Sequence, residues 1–87
     1  MYYQLSNNLV IKRRKTVNFG LNMVNGTTYQ MNDTMFDIVS FLGRDKRTKE
    51  QLLEYLLKEY DVAIEEIKEE VEDILDNLVS QEIIVVS

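Results

Sequence analysis

A small α+β domain ordered β-β-β-α-α-α is the fold this sequence predicts, and three observations predict it. Alternating apolar residues fill the segment 9–31, apolar residues at helical spacing recur from 35 onwards, and the connections between them are short. No repeat, low-complexity stretch or Pro/Ser-rich linker interrupts the 87 residues, so residues 1–87 are expected to form one domain.

The strand signals begin at Leu9-Val10-Ile11. They continue as Val17, Phe19, Leu21 and Met23, with Asn18, Gly20 and Asn22 between. Period-two alternation describes a sheet with one face buried. Asn25-Gly26 marks a hairpin, because both residues tolerate positive φ, and the third strand is then Thr27 to Met31. A two-residue turn would pair Met23 with Thr28 and split the apolar set. The expected loop is therefore Val24-Asn25-Gly26 with Gly26 left-handed in a bulge, pairing Leu21 with Tyr29 and Phe19 with Met31.

The first helix is expected to start at Asn32 as N-cap, with Met31 stapled onto Phe36. Its stripe is Met35, Phe36, Val39 and Leu42, and Gly43 stops it. Arg44-Asp45-Lys46-Arg47 forms the turn. Thr48 with Gln51 three residues on is a capping-box pattern, opening a second helix whose apolar face is Leu52, Leu53, Leu56, Leu57 and Tyr60. The third helix, Ile64 to Val79, carries Ile64, Ile67, Val71, Ile74, Leu75 and Leu78 at helical spacing. Glu65 and Glu66 suit the positive end of its dipole. Ile64, Ile67, Ile74 and Leu78 are read as core, with Leu75 and Val79 off that line. The tail Ile83-Ile84-Val85-Val86 reads as an extended segment packed on the core.

Composition removes most catalytic chemistry. With no Cys and no His there is no disulfide, no thiolate nucleophile, no usual zinc ligand and no side chain that ordinarily titrates near neutrality. The seven carboxylates between Glu65 and Asp76 lie on one helix, which describes a solvated acidic face. Neither a metal, a cofactor nor an enzymatic activity is expected. No apolar run approaches the ~20 residues that cross a bilayer, and no export signal is recognisable, so the expectation is a cytoplasmic protein without a membrane partner.

The formal charge of −5 conceals an asymmetry: residues 1–49 hold eight Lys/Arg against three Asp/Glu, and residues 50–87 hold two against twelve. Such fields steer association rather than set the fold. Lys12, Arg13, Arg14 and Lys15 are the densest basic run, compatible with a solvated strand edge or with a docking patch for a partner enzyme or an acidic peptide.

In order and spacing the chain resembles the PqqD family, named for pyrroloquinoline quinone biosynthesis and related to the recognition elements of lasso-peptide and other modified-peptide pathways. The resemblance runs from about Leu9 to Ile84. It is carried by the hairpin ending in Gly26-Thr27-Thr28-Tyr29-Gln30-Met31-Asn32, by Met35 to Leu42, by the turn Gly43 to Thr48, by Leu52 to Tyr60, and by Tyr60-Asp61-Val62 before the acidic helix and Ile83-Ile84. Val62-Ala63 departs from the family's usual proline or polar cap, and the basic run at Lys12 is a second departure.

The resemblance implies a small winged-helix-like domain that captures the leader of a ribosomally made precursor peptide as an added strand and presents it to a radical SAM enzyme, another modifying enzyme or a leader protease. Carried over, the edge is Thr27, Thr28, Tyr29, Gln30 and Met31, and the opposite wall is Lys68, Val71, Glu72, Leu75 and Val79. Physical reasoning reaches the same mechanism, since a three-stranded sheet with free outer strands must cover its edges or use them. Tyr29 and Met31 are expected to point inward, leaving backbone, Thr28 and Gln30 for the peptide.

Two rival functions belong to other classes. A winged helix-turn-helix would bind DNA, but the third helix offers a single Lys68 among its carboxylates, against the donors that phosphates and base edges require. A generic protein-interaction module is compatible with the same residues.

Overall fold

The computed structural model describes residues 1–87 as five strands and three helices. They run β1 (Tyr3–Leu5), β2 (Leu9–Arg14), β3 (Val17–Asn22), β4 (Thr28–Met31), α1 (Asp33–Arg44), α2 (Lys49–Glu59), α3 (Ile64–Ser80) and β5 (Ile84–Val86). The α+β class, the three-stranded antiparallel sheet β2-β3-β4 and the three helices stand as the sequence predicts. A second, two-stranded sheet was not anticipated: β1 and β5 pair antiparallel, Tyr3 with Val86 and Leu5 with Ile84, joining the two ends of the chain. Of the apolar tail, Ile83 and Ile84 are buried and Val85 and Val86 are exposed.

Two of the three helices open on side-chain caps. The Asn32 side chain accepts from the Met35 N–H, and the Thr48–Gln51 capping box closes in both directions. Ala63 gives α3 no side-chain cap, so its start rests on two acidic residues in the first turn and on packing. Gly43 does not stop α1, which continues to Arg44. Its role is close approach: a Cβ there would lie 3.2 Å from the Leu5 side chain on β1.

The core joins Leu9 and Met31 of the sheet to Ile38, Val39 and Leu42 of α1, Leu52, Leu53 and Leu56 of α2, and Ile67, Val71, Leu75 and Leu78 of α3. The buried line on α3 therefore differs from expectation. Val71 and Leu75 are fully buried, whereas Ile74 is half-buried and Ile64 is 45% exposed. Both readings are helical; the structure rotates the buried face toward Val71 and Leu75.

The hairpin register is also corrected. Leu21 pairs with Thr28, Phe19 with Gln30, Gly20 with Tyr29 and Asn18 with Met31. The loop is four residues long, Met23 to Gly26, because Asn22 folds it. Asn22 Oδ1 accepts from the N–H groups of Val24 and Asn25 at 2.9 and 3.2 Å, and the Gly26 N–H reaches the Asn22 carbonyl at 2.8 Å. Gly26 is left-handed, φ 77°, as expected. Tyr29 and Met31 do face inward, but opposite Gly20 and Asn18 rather than Leu21 and Phe19. The strand thus turns Asn18, Gly20 and Asn22 to the core and its apolar residues to the outside.

Candidate peptide-binding cleft

β4 is the last strand of its sheet, and its outer edge pairs with no other strand. The Asn22 N–H donates to the Thr27 carbonyl at 2.8 Å, which sets the phase of the ladder. Bonded pairs alternate in an antiparallel ladder, so Tyr29 and Met31 bond toward β3. The N–H and C=O groups of Thr28 and Gln30 point to the open edge. Side chains follow the complementary pattern: Met31 is buried and Tyr29 half-buried, while Thr28 and Gln30 are exposed.

Where β4 runs into α1, a cleft of about 180 Å³ opens against the N-terminal half of α3. It is lined by Thr34, Tyr60, Val62, Glu66, Ile67, Glu70 and Val71. The floor is apolar and the α3 rim carries two carboxylates. The Tyr60 hydroxyl, which donates to Asp37 Oδ2, ties the end of α2 to α1 and fixes one wall. That hydrogen bond, with burial second, raises the Tyr60 pKa from 10.0 to about 12.

The residues expected to form the α3 wall do not line this cleft together. Val71 reaches the cleft floor from the core side. Leu75 is fully buried, at the base of a different depression lined also by Tyr3, Lys49, Glu72 and Asp76. Glu72 stands on the α2 side, accepting from Lys49 Nζ at 3.0 Å, and this bond lowers its pKa. Lys68, exposed one helical turn earlier, shares that side. Val79 lines a third depression with Ser6, Asn8, Asn22 and the β5 residues.

Thr34, Tyr60, Val62, Glu66, Ile67 and Glu70 were missed as lining residues. The helical period could have found part of this set, because Glu66, Ile67, Glu70 and Val71 share one flank of α3. Thr34 and Tyr60 come from other helices, and no local pattern joins them.

The basic run divides by the parity of β2. Arg13 lies on the inner face: its Nε donates to Asn18 Oδ1, its guanidinium sits 4.7 Å from the Phe36 ring centroid, and Asp33 is 3.6 Å away. Lys12 and Arg14 project from the outer face, opposite Phe19 and Val17. Lys15 occupies the turn at φ 57°. The four cations are therefore not one patch.

Neither a metal-binding group of side chains nor a helix long and apolar enough to cross a membrane is present.

Comparison with known proteins adds sequence and fold relationships. The sequence model of the family described as coenzyme PQQ synthesis protein D (PqqD) matches residues 19–84. No curated protein matches the chain in sequence. Two solved structures share its fold. TbiB1 in complex with the TbiA(beta) leader peptide superposes with a TM-score of 0.82 at 19% identity, over 97% of this chain and 96% of that one. Lasso peptide synthetase B1 complexed with the leader peptide gives 0.78 at 18% identity, over 97% and 98%.

Proposed function

The chain belongs to the PqqD family, and from that membership we propose that it captures the leader of a ribosomally made precursor peptide by strand addition to β4. The observation that carries the reading is the open β4 edge beside the α3 cleft. Thr28 and Gln30 offer outward N–H and C=O groups, and an apolar floor lies beyond the strand's end for a leader side chain. Two proteins of the same fold are described in complex with leader peptides.

In this reading the affinity comes from backbone pairing to Thr28 and Gln30. Selectivity comes from one apolar or aromatic leader residue seated against Ile67 and Val71, with Glu66 and Glu70 favouring cations nearby. The domain supplies no bond-making group. Its contribution is to hold the precursor at a modifying enzyme or leader protease and so raise the local concentration of the segment to be processed.

The test uses the labelled domain titrated with synthetic leader peptides from neighbouring short open reading frames. Saturable amide shifts confined to Thr28–Met31 and Ile67–Val71 are expected. Gln30→Pro removes one outward N–H while leaving the bonds to β3 in place, and should weaken binding by about tenfold, the worth of one edge hydrogen bond. Failure of every leader to bind, or undiminished binding by a folded Gln30→Pro variant, would overturn strand addition.

A further inference from the structure

The outer face of the β2-β3-β4 sheet carries an apolar centre that the fold leaves in solvent. Val10, Val17 and Leu21 are 40%, 43% and 36% exposed, and Phe19 is half-buried beside them. Cross-strand register places Val10 against Leu21, Lys12 against Phe19 and Arg14 against Val17, so three apolar side chains of β3 face one apolar residue and two cations of β2. Val10, Lys12, Arg14, Phe19 and Leu21 line a shallow depression of about 360 Å³ on this face, with Arg13 at its border.

This exposure is held in place. Shifting a strand by one residue exchanges its two faces, and such a shift of β3 would bury Val17, Phe19 and Leu21. The structure instead buries Asn18 and Asn22 and hydrogen-bonds the side chain of each. Asn18 accepts from Arg13 and donates to Asp33 at 2.8 Å, and Asn22 accepts the two loop N–H groups. Hydrogen-bonded asparagines buried near both ends of β3 pin the register. The apolar set therefore faces outward by construction.

We propose that this face is a second docking surface, separate from the β4 cleft, for a partner protein whose contact surface is apolar and ringed by carboxylates. Lys12 and Arg14 fix the charge of the rim. They belong to the positive half of a chain whose other half is strongly acidic, so an acidic partner is steered to this face and repelled from the α3 side. A second copy of the chain is a poorer fit: face-to-face pairing sets like cations together, and the acidic outer side of α3 offers no apolar counterpart. A membrane is poorer still, because two outward cations on a molecule of net charge −5 give little attraction to anionic lipid.

The probe is an amphipathic helical peptide with a leucine stripe flanked by glutamates, and its control replaces every glutamate with lysine. Titrated into the labelled domain, the acidic helix should produce saturable shifts at Val10, Val17, Phe19 and Leu21. Val17→Thr with Leu21→Thr, which puts β-branched residues suited to a strand at both positions, should abolish those shifts. Lys12→Glu with Arg14→Glu should weaken the acidic helix by roughly five- to tenfold and turn preference to the lysine helix. Leader titration of the same variants, read at Thr28–Met31, should be unchanged, which separates failure of this surface from failure of the β4 site. Absence of shifts at this face, equal binding of both helices, self-association through it, or shifts there only with anionic vesicles would each overturn the proposal.

Discussion

Tyr60 shows how one hydroxyl can organise a cleft assembled from three helices. It ends α2, donates to Asp37 on α1 and lines the depression beside α3. The bond favours the protonated phenol in the folded chain, raising its pKa to about 12 from 10.0. A group whose folded pKa is raised contributes stability that is complete below the unfolded value and lost as pH climbs through the folded one. Denaturant midpoints should therefore fall between pH 10.0 and about 12 through this group. Tyr60→Phe should lower stability by about 1 kcal/mol at neutral pH and flatten that part of the profile. A profile unchanged by the substitution would remove Tyr60 as its cause.

At the scale of elements, helix ends were more legible than strand faces. Asn32, Thr48 and Gln51 act within four residues of themselves, so their spacing alone revealed the caps, and Gly26 announced its own left-handed turn. The faces of β3 were not legible. Alternation gave the period, but which parity turned inward depended on Asn22 folding the loop and on Arg13 and Asp33 meeting Asn18. Those contacts are tertiary, and the apolar-inside rule chose the wrong face. The cleft was half legible for the same reason: the β4 edge follows from strand order, whereas the flank of α3 that meets it depends on how the helix is rotated in the core. The end of α3 offers a test of local geometry. Glu82 sits left-handed at φ 60°, its N–H reaching the Val79 carbonyl and that of Ile83 reaching Leu78, each at 3.0 Å. This is a Schellman closure with a non-glycine residue at the strained position. Glu82→Gly should stabilise the domain by about 0.5–1 kcal/mol, the relief of the left-handed strain less the added freedom of the unfolded chain. A lower melting temperature for the variant would contradict that account.

Across the whole molecule, closure depends on two strands of three residues each that stand at opposite ends of the chain. β1 bonds to β5 and, through reciprocal bonds between Tyr3 and Arg47, to the turn before α2. Leu5 fits against Gly43 in α1, and Ile83 and Ile84, each 1% exposed, belong to the core. The sequence made the apolar tail visible but not Tyr3–Leu5, whose single strong apolar residue carries no periodic signal. Removing buried methyl groups leaves a cavity that surrounding side chains only partly fill, so Ile84→Ala should cost about 2–4 kcal/mol. That is a large share of the roughly 5–10 kcal/mol available to a domain of this size. Because Ile84 joins the termini to the core, the loss should shift the unfolding of every element together. Denaturant curves followed by tyrosine fluorescence and by far-ultraviolet circular dichroism should remain coincident with a lower midpoint. Separate transitions for the two signals would show that the β1–β5 clamp folds independently of the three-stranded sheet.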